Sequence, residues 1–182
     1  MSEIWKNEKE RIEDFRQYAG DIIKEEKIGV LADMGYFTLP ASIGHHGKEE
    51  GDLYLHSKTV ARLLEEFTRK EHLLWSRPES PRIVGLLHDL CKTEEYEKKN
   101  FMGSYYYGRN EGAVLQGHGE ISVMIAQNIL ELTVEEMLCI RYHMGAFEGR
   151  HVWDYLQRAA GQNKNILWIM QADLIASWVL GI

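Results

Sequence analysis

The feature that most restricts this chain is the spacing of its apolar residues. In segment after segment they recur at three- and four-residue steps, the period of an α-helix with one buried face. Residues 53–69 carry Leu55, Val60, Leu63, Leu64 and Phe67 on one side, with Lys58, Arg62, Glu65 and Glu66 covering the other. Ile4, Trp5, Ile12, Phe15, Tyr18, Ile22 and Ile23 trace a similar stripe through residues 3–28, as one amphipathic helix or two short ones. After the Pro78-Glu-Ser-Pro81 break, Ile83, Val84, Leu86, Leu87 and Leu90 predict a short buried helix. Ile121, Met124, Ile125 and Ile129 share a further face, and Thr133-Val-Glu-Glu136 is a capping box for the helix carrying Met137, Ile140 and His143. Residues 165–180 are apolar nearly all round, which predicts a helix buried in the centre of a bundle. The three prolines all fall between positions 40 and 81, so the rest is free to be helical. The expected fold class is all-α, six or seven helices in a bundle. Glycines break the period at 34–52, read as a long surface loop, at 98–117, read as a loop or small hairpin, and at 145–163, where residues 153–160 form a helical turn or two.

A chain of 182 residues fits one domain, so residues 1–182 are expected to fold as a single unit. With 21 basic against 28 acidic side chains the net charge is −7, the wrong sign for neutralising a broad run of phosphates, which argues against duplex nucleic acid as a partner. Cys91 and Cys139 lie alone in apolar segments, which suggests neither a disulfide framework nor a thiolate zinc site. The charged start of the chain does not read as a secretory leader, and the longest apolar window, 166–180, is interrupted by Gln171 and Asp173. The expectation is a cytoplasmic protein without a membrane span.

Several helical segments set a metal-capable side chain among apolar neighbours: His56, the His88-Asp89 pair, His143 and Asp173, with His118 at the start of another. An ionised carboxylate inside an apolar run is costly unless it is paired or binds a cation. Asp89 has no cationic neighbour nearer in sequence than Lys92. Adjacent helical residues point about 100° apart, so His88 and Asp89 can approach one ion from two sides while other helices complete the shell. Imidazoles and carboxylates together suit Fe, Mn, Co, Ni or Zn.

In the order His56, His88-Asp89, Asp173 the chain resembles the HD-domain phosphohydrolase superfamily, all-α enzymes that hydrolyse phosphate esters and anhydrides with one or two bound metals. The resemblance covers 53–177 and is carried by Gly85-Leu-Leu-His-Asp-Leu-Cys-Lys92 and by Trp168-Ile-Met-Gln-Ala-Asp173. His118 in Gly-His-Gly-Glu and His143 in Ile-Arg-Tyr-His-Met-Gly match positions that bacterial branches with two metals use for the second ion. The resemblance implies that Asp89 bridges two divalent ions, with His56, His88 and Asp173 on one and His118 and His143 on the other. Met144 departs from relatives with a second His or a Thr there. The implied reaction is hydrolysis of a small phosphate-containing substrate, a nucleotide or dinucleotide, by metal-activated water. Lys92 would hold a phosphoryl oxygen where charge builds up, or, on the plainer reading, mark a helix end.

Tyr106, with its neighbours Tyr105 and Tyr107, and Arg109 would make a base-stacking, phosphate-contacting lid, or pack their rings on the core. Arg141 is a further candidate cation for substrate. His45-His46 read as solvated loop residues and Cys91 as a small buried hydrophobe, while Glu120, outside the metal set, is either a group that orients a ligand or only a first-turn acid. Two rival functions stand beside the phosphohydrolase: an HD-type phosphodiesterase or nuclease on cyclic or single-stranded nucleic acid, and a non-catalytic metal- and nucleotide-binding sensor. Substrate, oligomeric state and native metal are not legible at this level.

Overall fold

Asn7 opens the first helix. Its side chain accepts the Glu10 amide at 3.1 Å, and the helix α1 (Glu8–Ala19) runs to Gly20, whose φ of 58° suits a residue without a Cβ. The structure, a computed structural model, describes residues 7–44 and 47–182; Ile4, Trp5 and the His45-His46 pair lie outside the described residues. A short 3₁₀ turn leads into α2 (Glu25–Asp33), so the N-terminal stripe is two helices.

The segment after α2 is not the surface loop its glycines suggest. Tyr36 and Phe37 are fully buried and meet Phe15 and Tyr54 in a cluster of rings with centroids 5.1–6.0 Å apart. The Tyr36 hydroxyl donates to the Leu86 carbonyl at 2.7 Å. Glycine and proline prevent a helix here but do not prevent burial, and two aromatic side chains gain too much by leaving water to stay on the surface.

The long helix α3 (Asp52–Glu71) buries Val60 and Leu64 of the predicted stripe and half-buries Leu55, Leu63 and Phe67, with one departure on its polar side. Lys58 is buried, with its ammonium 2.8 and 2.7 Å from the two carboxylate oxygens of Asp14 on α1. The periodicity could not reveal that partner. Helix α4 (Ser80–Leu87), with Pro81 in its first turn, lies against α3 where Gly85 meets Ala61. The one-turn α5 (Lys92–Glu95) leads into an antiparallel hairpin, β1 (Tyr96–Phe101) and β2 (Ser104–Arg109), closed by Met102 and Gly103, both at positive φ. Helix α6 (His118–Ile129) follows, then α7 (Val134–Tyr142), whose capping box forms as expected between Thr133 and Glu136.

Helix α8 (Trp153–Gln162) is longer than the turn or two anticipated, and α9 (Asn165–Leu174) ends in a π-helical stretch, Ile175–Leu180. The last segment is not buried all round: Ile166, Ile169, Ala172 and Ala176 face the core, while Leu167, Trp178, Val179 and Leu180 are exposed. Among the described residues eight helices have eight residues or more, against the six or seven expected, because the N-terminal stripe divides and α8 is a full helix. No helix among the described residues is long and apolar enough to cross a membrane. Helices α3, α4, α7 and α9 pack in a ring, α3 on α4, α4 on α7, α7 on α9 and α9 on α3. The polar cluster sits within that ring.

Candidate metal centre

Each of the four packed helices delivers a side chain to one place. His56 projects from α3, Asp173 from α9, His88 with Asp89 from the end of α4, and His143 from the end of α7; His118 enters from the first turn of α6. The two helix ends are built alike. A helix leaves its last carbonyls without intrahelical partners, and here an imidazole takes one of them: His88 Nδ1 lies 2.8 Å from the Gly85 oxygen and His143 Nδ1 lies 2.7 Å from the Ile140 oxygen. His56 Nδ1 is held in the same way, 3.0 Å from the Ile182 backbone oxygen.

A carbonyl can only accept, so all three rings place a proton on Nδ1 and turn Nε2, the ligating atom of a neutral ring, inward. His56 Nε2 and His88 Nε2 face each other at 3.2 Å, and His143 Nε2 is buried with no hydrogen-bond partner among the described residues. Buried lone pairs left facing one another are costly unless something electrophilic lies between them. A cation meets that need.

The two oxygens of Asp89 address different partners. Oδ2 lies 3.8 Å from His56 Nε2 and 3.9 Å from His88 Nε2, while Oδ1 lies 2.7 Å from His118 Nε2 and 3.5 Å from His143 Nε2. Asp173 Oδ1 is 3.2 Å from His56 Nε2 and accepts from the Ser177 hydroxyl at 3.3 Å. Three sets have ligand atoms close enough to share an ion: His56 with His88 and Asp173; His88 with Asp89 and His143; and Asp89 with Cys91 and His118.

The electrostatics agree. Burial pushes His88 down to about 4, which keeps it neutral. Burial also opposes charge on Asp89, but Lys92 and the surrounding imidazoles outweigh it and hold the carboxyl well below the usual range. Asp173 is held at about 2, the cost of its burial being overcome by His56. Burial works against a charged ring at His56 and His118 too, yet Asp173 raises the first and Asp89 the second. The same negative field that attracts a proton there attracts a metal cation.

Lys92 is largely buried beside this cluster, with Nζ 3.4 Å from the Tyr96 hydroxyl and 3.7 Å from Glu95. Two further side chains meet His118: Glu95, which sequence reasoning missed, and Cys91, which is buried as expected. Glu95 lies 3.3 Å from His118 Nδ1, and Cys91 Sγ lies 3.1 Å from the same nitrogen. Glu95 stands in an acidic run that reads as solvent-facing, and only the turn of α5 brings it to His118.

A cavity of about 300 Å³ opens onto His56, Asp89, Lys92, His118 and Asp173. A larger surface groove of about 600 Å³, between His72 and Trp168, holds none of the cluster. Tyr106 and Arg109 do not line the cluster's cavity. The Tyr107 hydroxyl donates to the Thr38 carbonyl at 2.9 Å, and alternation along a strand then sends Tyr106 to the opposite face of the hairpin. Arg141 is not at the cavity either, and its guanidinium is matched by Glu120 and Glu148, each at 2.5 Å.

The family model described as HD domain matches residues 53–177, more than half of the chain and the span that holds all six candidate ligands. The chain belongs to the HD domain family. The family is largely one of metal-dependent hydrolases and binds divalent metals, and the His/Asp cluster of this HD domain is one that could hold such ions. No curated protein and no solved structure matches this HD domain.

Proposed function

We propose that this HD domain is a metal-dependent phosphohydrolase that cleaves a phosphoester or phosphoanhydride bond in a small nucleotide, with two divalent ions bridged by Asp89. The observation that carries the reading is the convergence of three Nε2 lone pairs, each fixed by a backbone oxygen, on a carboxylate whose two oxygens face different imidazoles. His56, His88 and Asp173 would hold one ion, His118 and His143 the other, with Fe, Mn, Co, Ni or Zn as candidates. Ions held there supply a water acidic enough to act as nucleophile near neutral pH and positive charge for the phosphoryl oxygens.

The chain's own residues do the rest. Lys92 offers its ammonium to a phosphoryl oxygen where charge accumulates. Lys92 and the surrounding imidazoles keep Asp89 ionised against the cost of its burial, and the Ser177 hydroxyl orients Asp173. The small cavity and the net charge of −7 favour a compact ligand over a long polyanion, which needs a basic track.

The test is metal content per chain on protein purified without chelators, with phosphate or nucleotide release measured on mono-, di- and cyclic nucleotides. Two ions per chain with turnover are expected. One ion with turnover would return His118 and His143 to the status of pocket residues. Metal without turnover would move the protein to the sensing class. Asp89→Ala is expected to abolish both metal and hydrolysis while the helical circular dichroism persists, and unchanged metal content would sink the ligand assignment.

A further inference from the structure

Trp178 stands five residues after Asp173. On a continuous α-helix of about 100° per residue it would lie about 140° round from that carboxylate. The chain instead leaves α9 after Leu174 and bonds as a π-helix through Ile175–Leu180, and a turn closed over five residues swings the fifth back toward the first. Trp178 accordingly lines the same cavity as Asp173 and Ser177. π turns are rare and concentrate at functional sites, and this one changes which side chain reaches the cavity.

Phe147, at the end of a 3₁₀ turn that follows His143, reaches the same cavity from another element. Phe147 is 63% exposed and Trp178 64%, and Met144 and Leu174 add further apolar lining to the cavity. Exposed rings beside a charged site forgo a large hydrophobic gain, which is recovered when a planar ligand covers them. In the same cavity Lys92 is the single lysine or arginine among the described lining residues. Chains of phosphates are usually met by several cations, often forked arginines.

Building on the phosphohydrolase reading, we propose that Phe147 and Trp178 form a stacking clamp that selects phosphomonoesters with one phosphoryl group on a planar, aromatic-faced body such as a nucleoside. The phosphoryl group lies toward Lys92 and the Asp89 cluster, and the base lies against the rings. Aromatic faces accept every base, so the clamp distinguishes a nucleoside phosphate from a plain sugar phosphate more strongly than one base from another.

The experiment is isothermal titration of the full chain, as purified, with the non-hydrolysable phosphonate analogues of adenosine 5′-monophosphate and of ribose 5-phosphate. These probes share the sugar and the charged group and differ in the base. The native protein is expected to prefer the adenosine analogue by about tenfold or more, the scale of one base stacked on an aromatic ring. Phe147→Ala and Trp178→Ala should each cut that preference to below about threefold, with unchanged circular dichroism because both rings are exposed. No preference in the native protein, or a preference that survives both substitutions, overturns the clamp. It is also overturned if the substitutions change the mass in sedimentation and leave the preference alone, since the rings then pack on a second copy. Phosphate release from adenosine 5′-monophosphate, measured on the same preparation, separates the two readings: preference without release sinks the hydrolase and keeps the clamp, whereas release without preference does the reverse.

Discussion

Gly85 is where the packing of this protein meets its chemistry. A Cβ added there would lie 2.3 Å from Ala61 Cα and 2.4 Å from Ala61 N, whereas ordinary contact begins near 3.4 Å. The obstacle is backbone, so no rotamer change relieves it, and in Gly85→Ala helix α4 must retreat from α3 by about 1 Å. Overpacking of this kind costs roughly 1–3 kcal/mol, and at about 2–4 °C per kcal/mol for a chain of this length the melting temperature should fall by about 2–12 °C. The retreat also moves the site. His56 rides on α3 and His88 is tied to the Gly85 carbonyl, so the 3.2 Å between their Nε2 atoms should widen to about 4 Å. Metal affinity should then drop by about ten- to a hundredfold, the range for disturbing the groups that orient ligands. The assay is thermal denaturation together with metal competition against a chromophoric chelator. Gly161→Ala serves as the control, since a Cβ there meets nothing within 4 Å in an α8 helix, and it should be neutral or stabilising. A Gly85→Ala protein that melts and binds metal like the native chain would refute the reasoning.

His118→Ala should remove one ion and spare the other, which metal stoichiometry on the purified variant checks; loss of both would mean that the two positions do not fill independently. Lys92→Ala should keep its metal and lose about 10²-fold in kcat, as when one charge-stabilising donor is deleted, and a change confined to KM would contradict a role on transition-state charge. Glu136 is buried and accepts from Arg77 Nε at 2.8 Å and Nη2 at 2.7 Å, from the Ser80 hydroxyl at 2.7 Å and from the Thr133 amide at 2.8 Å. Burial opposes its charge, but these donors, Arg77 foremost, hold its carboxyl below the usual range. A carboxylate depressed in the folded state adds stability above its unfolded pKa of about 4.3 and loses it as pH falls. Glu136→Gln should therefore be less stable at pH 7 by about 2 kcal/mol, a buried-pair loss reduced because Arg77 is partly exposed, and denaturant melts should show the gap closing below about pH 4. A gap independent of pH would remove the ion pair as its cause.

Much of this site could be read without coordinates. A histidine or aspartate inside an apolar helical stripe is conspicuous because the cost of burying it is a property of the residue and its near neighbours, and His56, His88, Asp89, His143 and Asp173 all announced themselves that way. Glu95 did not, because a glutamate in an acidic run has no local cost to betray it. Lys58 carried the opposite signal, a cation on the polar side of a stripe, and its burial goes with Asp14, 44 residues earlier. The segment after α2 misled for a related reason: glycines and prolines report the shape of the chain, not its depth, and Tyr36 and Phe37 went inside with Phe15 and Tyr54.

The sequence by itself determined the all-α character, the capping box at Thr133, the net charge of −7 and the list of side chains able to bind metal, since periodicity, composition and the cost of a buried charge are local properties. Only the tertiary structure decided that three imidazoles carry their proton on Nδ1, that the two oxygens of Asp89 face different partners, that Arg141 is matched by glutamates and that Phe147 and Trp178 stand at the cavity. The carbonyls held by His88 and His143 lie only three residues earlier, but His56 with Ile182, the two sides of Asp89 and the walls of the cavity depend on groups far away in the chain. Distance along the sequence carries no information about such a partner until the helices have packed.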